Sequence, residues 1–200
     1  MKTHIVSGSH RAQSQSSKVA KYLASEIEKR GGEATVTELF HNALPLWDEG
    51  MWSGDPKWKP IWSPIEAKLR QADSLIMVTP EYAGMASAAI KNLFLFCGGD
   101  LIAHKPTLLV AVSAGQGGSY PIAEMRASSY KNSKQIYIPE HILVKDAEKV
   151  LNGETSTGPN EDYLRKRIAY ALNLLELYES ALKPVRASDV LNYKDFPFGM

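Results

Sequence analysis

The sequence predicts one α/β domain: a five-stranded parallel sheet in the order 2-1-3-4-5, held between two layers of helices. Three observations carry this. Short apolar runs alternate with amphipathic stretches, the pattern of β-α units joined by crossovers. Two of the runs, "SLIMVTP" (74–80) and "TLLVAVSA" (107–114), are almost continuously apolar, as strands covered on both faces are. The chain has 200 residues, 44% of them apolar, enough to bury one substantial core.

"THIVSG" (3–8) is the first strand. Residues 14–30 follow as a helix, with Val19, Leu23 and Ile27 on one stripe and Gly31-Gly32 as its stop. "EATVTELF" (33–40) alternates with polar residues, as an edge strand can. Residues 41–62 read as a long connection that holds all four tryptophans, Trp47, Trp52, Trp58 and Trp62. A loop this long is usually functional or disordered, and four tryptophans argue against disorder. It is either folded on its own side chains, or a lid or subunit surface.

After the third run, Ile90, Leu93, Phe94 and Cys97 mark a helix over 86–97. The fourth run is followed by "KQIYIPEHILV" (134–144), whose strand is expected in its first half because Pro139 cannot donate to a central ladder. Leu164, Ile168, Leu172, Leu175 and Leu182 mark a helix over 161–183, with Pro184 as its stop. The domain is expected over 1–183. Residues 184–200 form a tail packed on it or on a neighbouring subunit. Five strands in this order make a flavodoxin-like three-layer sandwich, with its ligand at the carboxyl ends of the strands.

Composition narrows the function. A formal net charge of +1 and no basic cluster argue against nucleic acid as a partner. The single cysteine, Cys97, forms no intrachain disulfide, which suits a reducing compartment, and it reads as a small core residue. The first ten residues lack the apolar stretch of a signal peptide, and no run is long enough to span a membrane. A cytoplasmic protein without membrane contact is expected. The five histidines show no metal spacing, and no G-x-S-x-G elbow is present. Asp48, Glu49 and Asp55 read as a solvated loop face.

Three strand-end loops converge on one rim. "SGSHRAQSQSS" (7–17) offers backbone amides at a helix N-terminus, the hydroxyls of Ser9, Ser14, Ser16 and Ser17, and Arg11, a composition suited to an anion beyond what one capping serine requires. It lacks both the P-loop spacing and the dinucleotide glycines, which favours a terminal phosphate monoester. "TPEYAGMASAAIKNLF" (79–94) combines a turn with the flat face of Tyr82, and taken alone could be a plain β-α turn. "SAGQGGSYPIAEMR" (113–126) carries glycines that let the backbone approach a ligand closely, with Tyr120 where a dinucleotide motif would end in glycine.

These stretches together resemble the NADPH-dependent FMN reductase family of flavodoxin-like proteins, which includes quinone, chromate and azo-dye reductases. "GSHRAQSQSS" is similar to a family G-S-x-R-x-x-S-x-N/S loop. "PEYAGMASAAIKN" is similar to P-E-Y-N-x-S-x-P-x-x-L-K-N, the most specific of the three. "SAGQGGSYPIAEMR" is similar to S-x-G-x-x-G-G-x-x-A-x-x-x-L-R, and "LPLWDE" (44–49) also resembles a family segment. Matched order extends from residue 1 to about 130.

The resemblance implies that Ser9, Arg11, Ser14, Ser16 and Ser17, with the amide of Gln15, hold the phosphate of FMN. It implies that Pro80, Glu81, Tyr82, Ala83 and Gly84 border the isoalloxazine, and that Ser113, Gly115, Gly117 and Gly118 approach its pyrimidine side. Ala83 stands where the family usually has Asn, and Ser87 where Pro is common. The implied activity is ping-pong hydride transfer from NADPH or NADH, through N5 of FMN, to a small acceptor such as a quinone, free flavin or azo compound. No catalytic acid or base and no metal is called for. A homodimer or homotetramer is implied, with flavin near the subunit boundary. The rival readings are an FMN-binding sensor or interaction module without efficient turnover, and an electron-carrier flavodoxin, which would usually be far more acidic.

Overall fold

A computed structural model describes residues 1–199. Its five strands are β1 (Lys2–Ser7), β2 (Glu33–Glu38), β3 (Ser74–Pro80), β4 (Pro106–Val112) and β5 (Ile136–Val144). They form one all-parallel sheet in the order β2-β1-β3-β4-β5. The helices are α1 (Gln15–Glu28), α2 (Gly50–Ser53), α3 (Trp58–Gln71), α4 (Ala88–Phe96), α5 (Ser119–Ala127), α6 (Tyr130–Ser133) and α7 (Pro159–Arg186).

Each central strand splits its apolar residues between two cores. Val6, Leu75, Met77, Leu109 and Ala111 face α3, α4 and α5. Ile5, Ile76, Val78, Leu108, Val110 and Val112 face α1 and α7. Because side chains alternate along a strand, a strand covered on both faces must be apolar at every position, which is why β3 and β4 read as unbroken runs. β2 is an edge strand, which explains its polar alternation.

Three elements depart from the expectations. The connection after β2 ends at residue 57, because α3 begins at Trp58. Trp58 and Trp62 are core residues of that helix and pack against Phe96. Pro60 falls in the first turn, where the missing N–H has no intrahelical acceptor anyway, and Pro64 removes one bond further on. β5 runs the full length from Ile136 to Val144 at the other sheet edge. Its pairing with β4 shifts register near Pro139, so the proline falls at an irregularity. Finally, α7 continues through Pro184 to Arg186. So close to the helix end, the proline costs little of the hydrogen-bond ladder.

The tail beyond α7 touches the domain through Lys134, whose Nζ donates to the Pro197 carbonyl at 2.6 Å and lies over the Tyr193 ring. Cys97 is buried, and burial pushes its thiol pKa well up, so the thiol stays protonated and inert. Among the described residues no helix is long and apolar enough to cross a membrane.

One buried titratable group gives the fold a pH signature. His4 on β1 is fully buried, with Nδ1 2.7 Å from the Thr35 hydroxyl. Burial, then the charges of Lys68 and Lys105, lowers its pKa from 6.5 to about 4. The unfolded chain therefore takes up a proton near pH 6.5 that the folded chain refuses until about pH 4. Stability from this group is complete above pH 6.5 and falls by about 3 kcal/mol as the pH drops to about 4. Urea midpoints measured across that window will show the loss. In His4→Val, where exposed Thr35 can turn its hydroxyl to water, that part of the profile will flatten.

Candidate functional site

Parallel pairing sends β1, β3 and β4 out of the sheet on the same side, so their loops meet there. The first loop leaves β1 at Gly8, whose amide donates to the Val78 carbonyl on β3 at 2.9 Å. A Cβ on Gly8 would come within 2.4 Å of the Ile90 side chain and 2.8 Å of the Ser87 Oγ, so glycine lets the loop lie against α4. Ser9 is buried, and its Oγ sits 2.9 Å from the Tyr82 hydroxyl, joining the first loop to the second. The same Oγ accepts from the Arg11 amide at 3.1 Å.

Ser14 is the N-cap of α1, and its Oγ accepts from the Ser17 amide at 3.0 Å. Buried Ser17 also receives the Ser14 hydroxyl at 3.0 Å and lies 3.3 Å from the Ser7 hydroxyl. These serines are thus engaged in ordering the loop. The amides of Gln15 and Ser16, as first-turn positions, have no intrahelical acceptor. The Gln15 Oε1 is buried with no partner among the described residues, and the Arg11 side chain is exposed.

The second loop follows β3. The amide of Glu81 donates to the Val112 carbonyl at 2.9 Å. Tyr82 and Met85 exchange two backbone hydrogen bonds across Ala83 and Gly84, whose φ values are +51° and +75°. Two successive left-handed residues define a tight type I′ turn. Its tip is exposed, with nothing within 4 Å of a Cβ placed on Gly84. The family's Asn would suit the first of these positions, because Asn tolerates φ > 0 better than Ala. Ser87, in place of the family's proline, caps α4: its Oγ accepts from the Ile90 amide at 3.3 Å.

The third loop follows β4 and is bound to the second by carboxylates. Glu81 Oε2 accepts from the Gly118 amide, and a Cβ on Gly117 would lie 1.9 Å from that oxygen. Glu124 on α5 accepts from the Ala86 amide at 2.7 Å and from Lys91 Nζ at 2.9 Å. The Lys91 hydrogen bond, helped by the Ala86 amide and the Lys91 charge, outweighs burial and holds its carboxyl below the usual range. The Ser113 Oγ accepts from the Gly115 amide at 3.3 Å, and Gly115 faces open space. The Ser113 amide donates to the Val144 carbonyl and the Asp146 amide to the Gly115 carbonyl, which extends the rim to the end of β5.

The predicted residues therefore gather at one rim, joined loop to loop in sheet order. The sequence reading missed the residues that brace it. Asn92 accepts from the Trp47 amide at 2.9 Å and donates to the Leu44 and Pro45 carbonyls at 3.3 and 2.8 Å, anchoring the long connection to α4. Lys18 donates to the Ala147 and Val150 carbonyls at 2.6 and 2.8 Å. The Lys-Asn pair of the second motif was the available signal: Lys91 holds Glu124, and Asn92 holds the long connection. Asp48 is committed locally, to the Gly50 amide, the Trp58 indole and Lys57, and no group of three metal-ligating side chains occurs among the described residues.

The family model for NADPH-dependent FMN reductases matches residues 1–149. An NADPH azoreductase from Bacillus sp. strain OY1-2 is 30% identical over 160 residues, covering 77% of this chain and 82% of that protein. An FMN-dependent NADPH-azoreductase from Staphylococcus aureus is 27% identical over 168 residues, covering 84% and 89%. Among solved structures, the flavoenzyme NAD(P)H:(acceptor) oxidoreductase from Paracoccus denitrificans superposes with a TM-score of 0.69 at 18% identity, over 92% of this chain and 97% of that one. That likeness is one of fold.

Two outcomes test the bracing. Ala83→Asn relieves left-handed strain at the turn and will raise stability by about 1 kcal/mol in urea unfolding. Asn92→Ala leaves two carbonyls and an amide unpaired. It will cost about 1–3 kcal/mol and speed limited proteolysis within residues 44–57.

Proposed function

Since the chain belongs to the NADPH-dependent FMN reductase family, an FMN-dependent class of oxidoreductases, we propose that it is a reductase that passes electrons from NADPH to a small acceptor of the azo or quinone type, with donor and acceptor taking turns at one open rim. The observation that carries the reading is the division of labour at that rim. The serines of the first loop order the chain, which leaves the amides of Gln15 and Ser16 and the Arg11 guanidinium for a phosphate.

The residues fit the cofactor. At the start of α1, the backbone amides of Gln15 and Ser16, which have no intrahelical acceptor, meet an anion at the positive end of the helix dipole. Open space at Gly84 and Gly115 leaves room for a flat ring between the second and third loops. Bound there, FMN would supply the hydride-accepting N5 and the two-electron chemistry. The chain's own part is binding and orientation. Arg11 neutralises phosphate charge, Ser9 holds the Tyr82 hydroxyl so that its ring keeps a fixed pose, and Glu81 and Glu124 fix the spacing of the loops. No side chain is assigned a proton-transfer role. A binding module without turnover is disfavoured, because the relatives are reductases.

The proposal includes a homo-oligomer. Leu46, Trp52 and Leu95 are exposed on the connection and helix that Asn92 joins, at 81%, 75% and 58%. Solution mass tests this, and a monomer would remove it.

Purified protein will be yellow and will oxidise NADPH when an azo dye or a quinone is added, with parallel double-reciprocal plots. Colourless protein that ignores added FMN would sink the reading. Arg11→Ala will weaken FMN binding by about 1.5–3 kcal/mol in a fluorescence titration, as for a hydrogen bond to a charged group. Unchanged affinity would take Arg11 out of the site.

A further inference from the structure

The rim does not stop at the third loop. A cavity of about 940 Å³ opens at the carboxyl end of β5, between that strand and the start of α7. Gln116 and Asp146 belong both to its wall and to the hydrogen bonds that tie the third loop to the segment after β5. Neighbouring strands lie about 4.8 Å apart. In the sheet order β1-β3-β4-β5, the cavity is therefore the next station and adjoins the third loop through Gln116. Its size is that of a nucleotide-sized site.

Its chemistry suits an anion with an aromatic part. Lys145, Lys149 and Arg167 line it. The acids beside them are already committed. Asp146 is held by Gln116 and Lys149, and Glu140 by Arg167. Glu161 receives the Leu151 and Thr157 amides, the Thr157 hydroxyl and Arg165. Burial opposes its charge, yet those hydrogen bonds lower its pKa to about 2, so it is satisfied and turned inward. Lys145 is exposed and forms no ion pair among the described residues; Lys149 pairs with Asp146 at 3.3 Å, is 79% exposed, and keeps two of its three N–H donors for a ligand. Tyr163 offers an exposed ring at the mouth.

We propose that this cavity receives the phosphate-bearing adenosine end of the nicotinamide donor, with Lys145 and Lys149 reading the phosphate. The proposal rests on the reductase reading, because it takes the nicotinamide to lie at the neighbouring ring slot. It gives the chain a means to prefer a 2′-phosphorylated donor.

The test is calorimetric titration of the purified protein with 2′,5′-ADP, beside the double variant Lys145→Glu/Lys149→Glu. Both lysines are at the surface, and unchanged melting temperature and FMN content will show that the variant is intact. The expected result is at least about tenfold weaker 2′,5′-ADP binding in the variant, with KM for NADPH raised by about the same factor and kcat kept. Wild-type affinity in the variant would overturn the proposal, as would wild-type protein that does not bind 2′,5′-ADP. Displacement of 2′,5′-ADP by an equal concentration of inorganic phosphate would reduce the cavity to a general anion site and overturn the nucleotide assignment. In each of these cases the reductase reading survives if FMN binds and NADPH is oxidised. If FMN does not bind, that reading falls, and the titration still decides whether the cavity takes the nucleotide.

Discussion

Burial of a parallel sheet on both faces is the constraint from which the rest of this molecule follows. Parallel neighbours need a crossover between them, and two covered faces need helices on either side. Every strand then leaves the sheet on the same side and enters a helix N-terminus there. Backbone groups released from the ladder must find partners at that rim or meet a ligand. The structure meets this need by joining each loop to the next in sheet order, from the Gly8 amide on the Val78 carbonyl to the Ser113 amide on the Val144 carbonyl. The fit is close enough that Gly8 cannot carry a side chain without displacing Ile90.

Backbone bonds alone do not fix the spacing between loops, and that task falls to carboxylates. Glu81 reaches from the second loop to the Gly118 amide, and Glu124 reaches back from α5 to Ala86 and Lys91. Ionised acceptors suit such bridges, since charge-assisted bonds are stronger than neutral ones. This alters how the motifs are understood. Much of their polar content is spent within the protein, and the groups left for a ligand are few: first-turn amides, an exposed arginine and open space over two glycines. Helix capping and anion binding are not rival uses of the first loop. By capping α1, Ser14 fixes the turn that leaves the next two amides facing outward.

The parts legible in the sequence are those with a local period. Alternation and unbroken apolar runs marked all five strands, and 3.6-residue stripes marked α1, α4 and α7. The helix α3 was hidden because Pro60 and Pro64 sit where a stripe would be sought, and Trp58 and Trp62 read as loop aromatics. The gathering of candidate residues at the rim was legible because each lies just past a strand. The braces were not. Asn92 acts on residues 45 to 48 positions away, and Glu124 on residues 33 and 38 away. Such pairs leave no periodic trace, and only the closed fold brings them together.

The same architecture explains how a chain with a formal net charge of only +1 can present an edge whose polarity suits an anion. All the major helices that follow strands point their N-termini at the carboxyl edge of the sheet, and their dipoles add there without any net charge. The opposite edge has the complementary problem, since helix C-termini leave carbonyls unpaired. Cations answer it. Lys105, almost fully buried, donates to the Leu69 and Arg70 carbonyls at 2.7 and 3.0 Å, and Arg30 donates to the Glu26 carbonyl at 2.6 Å. Burial, then the charges of Arg186 and Arg70, lowers the Lys105 pKa to about 8, so this edge holds its charge at some cost. The protein thus answers its carbonyl ends with buried or half-buried cations, while at the amide ends of its helices the dipoles supply much of the positive potential. A large basic excess was not required in the sequence, because much of the polarity of the rim comes from the direction of the chain, with a few cations such as Arg11 added to it.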